Sequence, residues 1–191
     1  MRFIVYMALM FYSFSALSKV DNVLQSQLVK MAEQKQQVHQ SLDKYDSGSV
    51  PSALQFLASE IDDLHTQTLK EMLTLHGWPN KTLVGEKGIQ AAFLLVRHSN
   101  DLAFQQDMLP LIIQSYLDKD GIAGQDVAQF TDKVSIKLGK KQVFGTQAEW
   151  VDGQVLFAPI KNEESVNLLR AQMGMSSLAE YKKTLETFYD L

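Results

Sequence analysis

The chain has no cysteine among its 191 residues. That absence excludes disulfides, thiolate metal sites and a cysteine nucleophile, and also the lipid anchor that a lipoprotein signal attaches through cysteine. Basic clusters are lacking too: Lys140 and Lys141 are only a pair in a chain of formal net charge −4. Such a surface repels nucleic acid and anionic membrane, so no nucleic-acid partner is expected. There is no repeat, low-complexity tract or interdomain linker. Metal-ligand spacing is also missing. His65 and His76 share one helix face but stand about 16 Å apart along its axis, too far for one ion. No metal or other cofactor is expected. The Asn80, Lys81, Thr82 sequon has meaning only in a eukaryotic source and at an exposed site.

Long apolar runs are confined to the N-terminus, and that segment is the most informative in the chain. Met1 and Arg2 give a positive start, Phe3 to Phe14 are almost wholly apolar, and Ala16, Leu17, Ser18 offer small residues where a signal peptidase reads. Residues 1–18 are therefore expected to be a signal peptide, with the protein exported to a periplasm or secreted. The uncharged run from Phe3 to Ser18 is shorter than the about 20 residues a spanning helix needs, and Lys19 and Asp21 close it. No stable membrane span is expected after cleavage; a retained anchor is the alternative. Cleavage removes Arg2, leaving 17 basic and 22 acidic residues in a mature chain of about 173. That length suits one domain and buries a core without staples.

The periodicities predict a mainly α fold, a single-domain helical array with a small β-hairpin. Residues 19–50 read as an N-terminal helix and turn. Leu24, Leu28, Met31, Val38, Leu42 and Tyr45 form its stripe, which Lys35 interrupts. Residues 51–191 read as a helical domain with a hairpin near 141–158. Its first helix carries Leu54, Leu57, Ile61, Leu64, Thr68, Met72 and Leu75 inward, packs antiparallel to the preceding one, and ends at Gly77 and Pro79. The continuous apolar run Ala91 to Val96 is buried all round, as a helix rather than a strand. A further helix starts at Asn100 or Asp101 and is kinked, or begun afresh, near Pro110. A shorter one spans Asp126 to Ile136. Strands are expected at Lys141 to Thr146 and Gln154 to Ala158, around the turn pair Asp152, Gly153, and two helices close the chain.

Of the residues able to carry chemistry, His98 has the best context: it leaves the buried run for the polar loop Ser99, Asn100, Asp101, with Arg97 beside it. Asp62 and His65, three residues apart, could pair on one helix face, or merely share it. Gly145, Thr146 and Gln147, with Gln142, offer neutral hydrogen bonds suited to an amide or sugar, or serve only their own backbone. Trp78 and Trp150 are stacking platforms or plugs over the core edge.

The order Gly77, Trp78, Pro79; Val84, Gly85; Ala91 to His98; Gln105, Leu109, Pro110; Thr131, Asp132; Gln142 to Gln147; Asn167, Arg170, Gly174 resembles the bacterial family known as domain of unknown function 6624. The resemblance runs from about Asp62 to Tyr181, which would make the N-terminal helix an addition. Arg97, Asn100, Lys133 and Phe144 stand where that family typically has glutamine, aspartate, arginine and tyrosine. The resemblance implies no reaction, because the family has none assigned. It implies a shortlist: Trp78, His98, Gln105, Asp132, Gln142, Thr146, Gln147 and Arg170.

The expected function is thus a binding or interaction module with a polar cleft between the His98 loop and Gly145 to Gln147. Trp78, Gln105, Gln142, Thr146, Gln147 and Arg170 would contact a small polar ligand or an envelope protein. One alternative is a hydrolase-like enzyme with His98 as general base, Asp101 or Asp132 orienting it, and Thr146 or water as nucleophile. The other is a purely structural role for these residues.

Overall fold

The structure, a computed structural model, describes residues 20–46 and 48–189; the export signal read at residues 1–18 lies outside them. Helix α1 (Asn22–Leu42) starts where the Asp21 carboxylate accepts from the Val23 and Leu24 amides, each at 3.0 Å, giving first-turn donors a partner. It is followed by α2 (Ser52–His76), α3 (Lys81–His98), α4 (Leu102–Leu117) and α5 (Gly124–Lys137). A hairpin of β1 (Ala148–Val151) and β2 (Gln154–Phe157), then α6 (Val166–Gln172) and α7 (Leu178–Tyr189), complete the described residues. The fold is mainly α with one small antiparallel hairpin.

Helices α1 and α3 run side by side in the same direction. The Asp21 amide donates to Leu83 O (2.8 Å) and Gln25 Nε2 to Val84 O (2.7 Å). Those carbonyls are free because Gly85, at φ +63°, interrupts the helical path inside α3. A side chain at 85 would be strained in that conformation and would meet Gln25 Nε2 at 2.9 Å. At the far ends of the same two helices the rings of His39 and His98 lie 5.4 Å apart. Helix α2 packs antiparallel to α1, pairing Asp62 with Lys35 and His65 with Gln34.

The core draws on all five of these helices. Leu24 and Leu28 of α1, Leu69 of α2, Val84, Ile89, Ala92 and Val96 of α3, Ile112 of α4, and Val127 and Phe130 of α5 are all buried within it. Helix α1 is therefore part of the body of the fold and not an addition to it.

Three further expectations change. On α2 the inward face is Ala58, His65, Thr66 and Leu69, while Leu57, Leu64 and Leu75 are exposed. Polar pairs set that rotation: Asp62 to Lys35, His65 to Gln34, and Thr66 Oγ1 to Ser99 Oγ at 2.9 Å. Helix α4 passes through Pro110 without beginning again there. Lys141 to Thr146 is not a strand, because the amides of Val143, Phe144 and Thr146 donate to the Asp132 carboxylate instead of to a ladder. The hairpin forms further on, across Asp152 and Gly153, with Trp150 opposite Val155.

Candidate functional site

The shortlisted residues fall into two separate constellations and one single position. The first constellation is the loop from Gln142 to Gln147. Asp132, fully buried on α5, accepts from Val143 N (2.6 Å), Phe144 N (3.0 Å), Thr146 N (2.9 Å) and Thr146 Oγ1 (2.9 Å). Gln142, also fully buried, donates through Nε2 to Gln147 O and Ala158 O, and its Oε1 accepts from Gln147 N (2.8 Å). Gln147 Nε2 in turn donates to Thr146 Oγ1.

From the other side, Arg170 of α6 donates to Ser176 O (2.7 Å), Phe144 O (2.8 Å) and Gly145 O (3.3 Å), and its guanidinium lies 4.9 Å from the centre of the Tyr181 ring. Gly145, at φ +67°, has Leu178 Cδ1 2.7 Å from where a Cβ would stand. Nearly every donor and acceptor of these side chains is thus spent on the loop itself, an arrangement that fixes a backbone.

The second constellation surrounds His98. The loop after α3 is held on several sides. Gln105, fully buried, donates through Nε2 to the carbonyls of Val96, Arg97 and Ser99 at 3.0–3.1 Å. Asp101 caps α4 by accepting from Phe104 N (2.9 Å) and pairs with Lys70 (2.6 Å); the Lys70 bond, then the Phe104 amide, hold its carboxyl below the ordinary range. Asn100 donates to Asp63. His98 therefore stands on a fixed backbone and is itself half-buried.

Its neighbours are not the expected ones. Asp101 is turned to Lys70 and Asp132 to the loop, so neither orients His98, and Thr146 is bound to Asp132. The groups that act on the His98 ring are Lys35, His39, Lys133 and Arg97; with burial as the largest cause, they hold its pKa down to about 4. Burial and Lys35 likewise lower His39, and burial lowers His65. At neutral pH these imidazoles are uncharged.

Sequence reasoning passed over much of this junction. Lys35, 3 % exposed, is held by both oxygens of Asp62. The Asp62 and His65 pair suggested by their spacing is thus divided: Asp62 goes to Lys35, while His65 Nε2 donates to Gln34 Oε1 at 3.3 Å. His39 Nε2 lies 4.0 Å from Asp62 Oδ2 and has no hydrogen-bond partner, nor has the buried His65 Nδ1. The signal for Lys35 was visible: a charge in the middle of an apolar stripe.

The single position, Trp78, is half-buried against the core at the opposite end of α3, its indole N–H without a partner among the described residues. Among the described residues no group of three His, Asp or Glu side chains is placed to hold a metal ion.

Beside the junction lies an open groove of about 540 Å³ between α1, α3 and residues 121–126. Its floor is apolar, with Val29, Ala32, Ala91, Leu94 and Ile122. Glu33 and Gln36 rim it from α1, Lys87, Gln90 and Arg97 from α3, and Asp126 from α5. Arg97 Nη1 meets Asp126 Oδ1 at 3.5 Å across the rim.

The model of the family described as "Family of unknown function (DUF6624)" matches residues 22–191. The match includes α1, whereas the motif order had placed the start near Asp62. No curated protein and no solved structure matches the chain.

Proposed function

The chain belongs to the family of unknown function DUF6624, and from that premise we propose that it is an exported binding module whose ligand lies in the groove between α1 and α3. One observation carries the reading. The groove has the volume of a small-molecule or short-peptide site, an apolar floor, and polar groups of both signs along its rim. Charges of both signs suit a ligand that is itself polar and near neutral overall, such as a short peptide.

Export is supported by the N-terminal segment, in which a positive start, an apolar run and small residues follow in the order a signal peptidase reads. Among the described residues no helix is long and apolar enough to cross a membrane. A periplasmic or secreted location follows from this reading, with a bacterial source.

Ligand screening by thermal shift tests the proposal. A ligand at 100 times its Kd adds about 2.7 kcal/mol, which in a chain of this size raises Tm by roughly 5–10 °C. Ala123 is exposed on the groove wall. Ala123→Trp is expected to fill the groove and abolish that rise while leaving the melting of the free protein nearly unchanged. Equal responses from the two proteins would overturn the reading.

A further inference from the structure

We propose that a small pocket between the start of α5, the Gln142 to Gln147 loop and the start of α7 is a carboxylate site, in which Arg170 Nη2 and the side-chain amides of Gln125 and Gln129 hold the anion. The proposal is independent of the groove, with which this pocket shares no lining residue.

It begins from what Arg170 has left over. The side chain is 1 % exposed, and a guanidinium carries more N–H donors than the loop uses. Nε is spent on Ser176 O, and Nη1 on the carbonyls of Phe144 and Gly145. Nη2 has no hydrogen-bond partner among the described residues, yet it is not one of the buried atoms left without one. It therefore reaches open space, and the space that Arg170 lines is a cavity of about 110 Å³. The charge is also unpaired: among the described residues no carboxylate comes within ion-pair distance of Arg170. Asp132, the acid that acts on it, is taken up by three amides and a hydroxyl.

The facing wall supplies neutral donors. Gln125 and Gln129 stand one turn apart on α5 and both line the cavity. Neither side-chain amide has a partner among the described residues, so each can turn an N–H to a guest. The Tyr181 ring, 4.9 Å from the guanidinium, closes one side, and no acidic side chain lines the space. One buried cation among neutral donors suits a monoanion, and an arginine donates to a carboxylate more strongly than to a neutral oxygen. Gln125 also belongs to the first turn of α5, which no side chain caps, and the positive end of the helix adds to the preference for a negative guest. The cavity is smaller than the ~300 Å³ at which pockets take a whole drug-sized ligand. It fits a small free acid, or the carboxylate end of a larger ligand such as a peptide.

The experiment is an NMR titration of the full chain that reads the arginine Nε–H and the glutamine side-chain N–H signals. Acetate and acetylglycine are added separately, with acetamide and chloride as controls at matched ionic strength. Saturable shifts of Arg170, Gln125 and Gln129 with the carboxylates, and none with acetamide, are expected. Arg97 on the groove rim should stay unmoved, which tells this site from the groove. Tighter binding of acetylglycine supports a peptide end as the guest; tighter binding of acetate supports a small free acid. Because Arg170→Ala would unfasten the loop, the test variant is Gln129→Glu, which keeps the shape and places a negative charge in the wall. It should weaken carboxylate binding at least tenfold while the Arg170 Nε signal persists as the sign of an intact loop. The proposal is overturned if neither carboxylate shifts Arg170 more than chloride does, if acetamide binds as tightly, or if Gln129→Glu binds like the unaltered protein.

Discussion

The loop at Gln142 to Gln147 and the helix junction at His98 are both rich in buried polar side chains, and they differ in what those side chains have left over. At the loop, Asp132 receives three amides and a hydroxyl, Gln142 uses both ends of its amide, and Arg170 closes the other side on two carbonyls. At the junction, the buried atoms His39 Nε2, His65 Nδ1 and Gln105 Oε1 have no partner among the described residues. A polar group satisfied by its own backbone stabilises a conformation. One left without a partner in the interior leaves its desolvation uncompensated, so the junction gains less from its polar groups than the loop does.

The comparison breaks most readily at Asp132. Asp132→Ala strips the partner from three amides, at least one of them deeply buried, at about 1–3 kcal/mol each. A loss of at least 3 kcal/mol in urea unfolding is expected; a loss under 1 kcal/mol would show that the carboxylate does not hold the loop. Lys35→Met comes next. It leaves Asp62 charged, 12 % exposed and unpaired, which costs about 3 kcal/mol, whereas Lys35→Met with Asp62→Leu should recover most of that loss. A double variant as unstable as the single one would mean that the pair is needed for more than mutual compensation. Gln142→Ala should cost about 2 kcal/mol, since it removes both ends of one amide staple.

The smallest effect is the dependence on pH. The folded-state pKa of His98 is about 4 against an ordinary 6.5, so the unfolded chain binds the extra proton first. Stability is full above about 6.5 and is lost as pH falls towards 4. With the ring only partly buried, the loss is on the order of 1 kcal/mol. His98→Gln should flatten that part of the profile, and an unchanged slope would remove His98 from the account.

Local chemistry was legible in the sequence; pairings between distant segments were not. The helix ends at Gly77 and His98, the turn at Asp152 and Gly153, and Lys35 as a misfit in an apolar stripe all follow from neighbours a few residues away. The partner of Lys35 does not, because Asp62 is 27 positions on and reaches it only once α1 and α2 pack. Lys141 to Thr146 has strand-like composition, yet its amides bond a carboxylate 11 to 14 residues earlier. The apolar face of α2 was misplaced for a related reason, since its rotation is fixed by polar bonds to α1 and to Ser99. His98 was singled out for its emergence from the core. Arg97 was already beside it in the sequence, but that the His39 ring would lie against it, and that Asp101 and Asp132 would turn elsewhere, required the fold.

The contrast between loop and junction is tested most directly by urea unfolding of Asp132→Ala and His39→Phe side by side. The account predicts a loss of at least 3 kcal/mol at Asp132, whose carboxylate holds three amides, and a change within about 1 kcal/mol at His39, whose Nε2 has no partner to lose. A loss at His39 as large as the loss at Asp132 would contradict it.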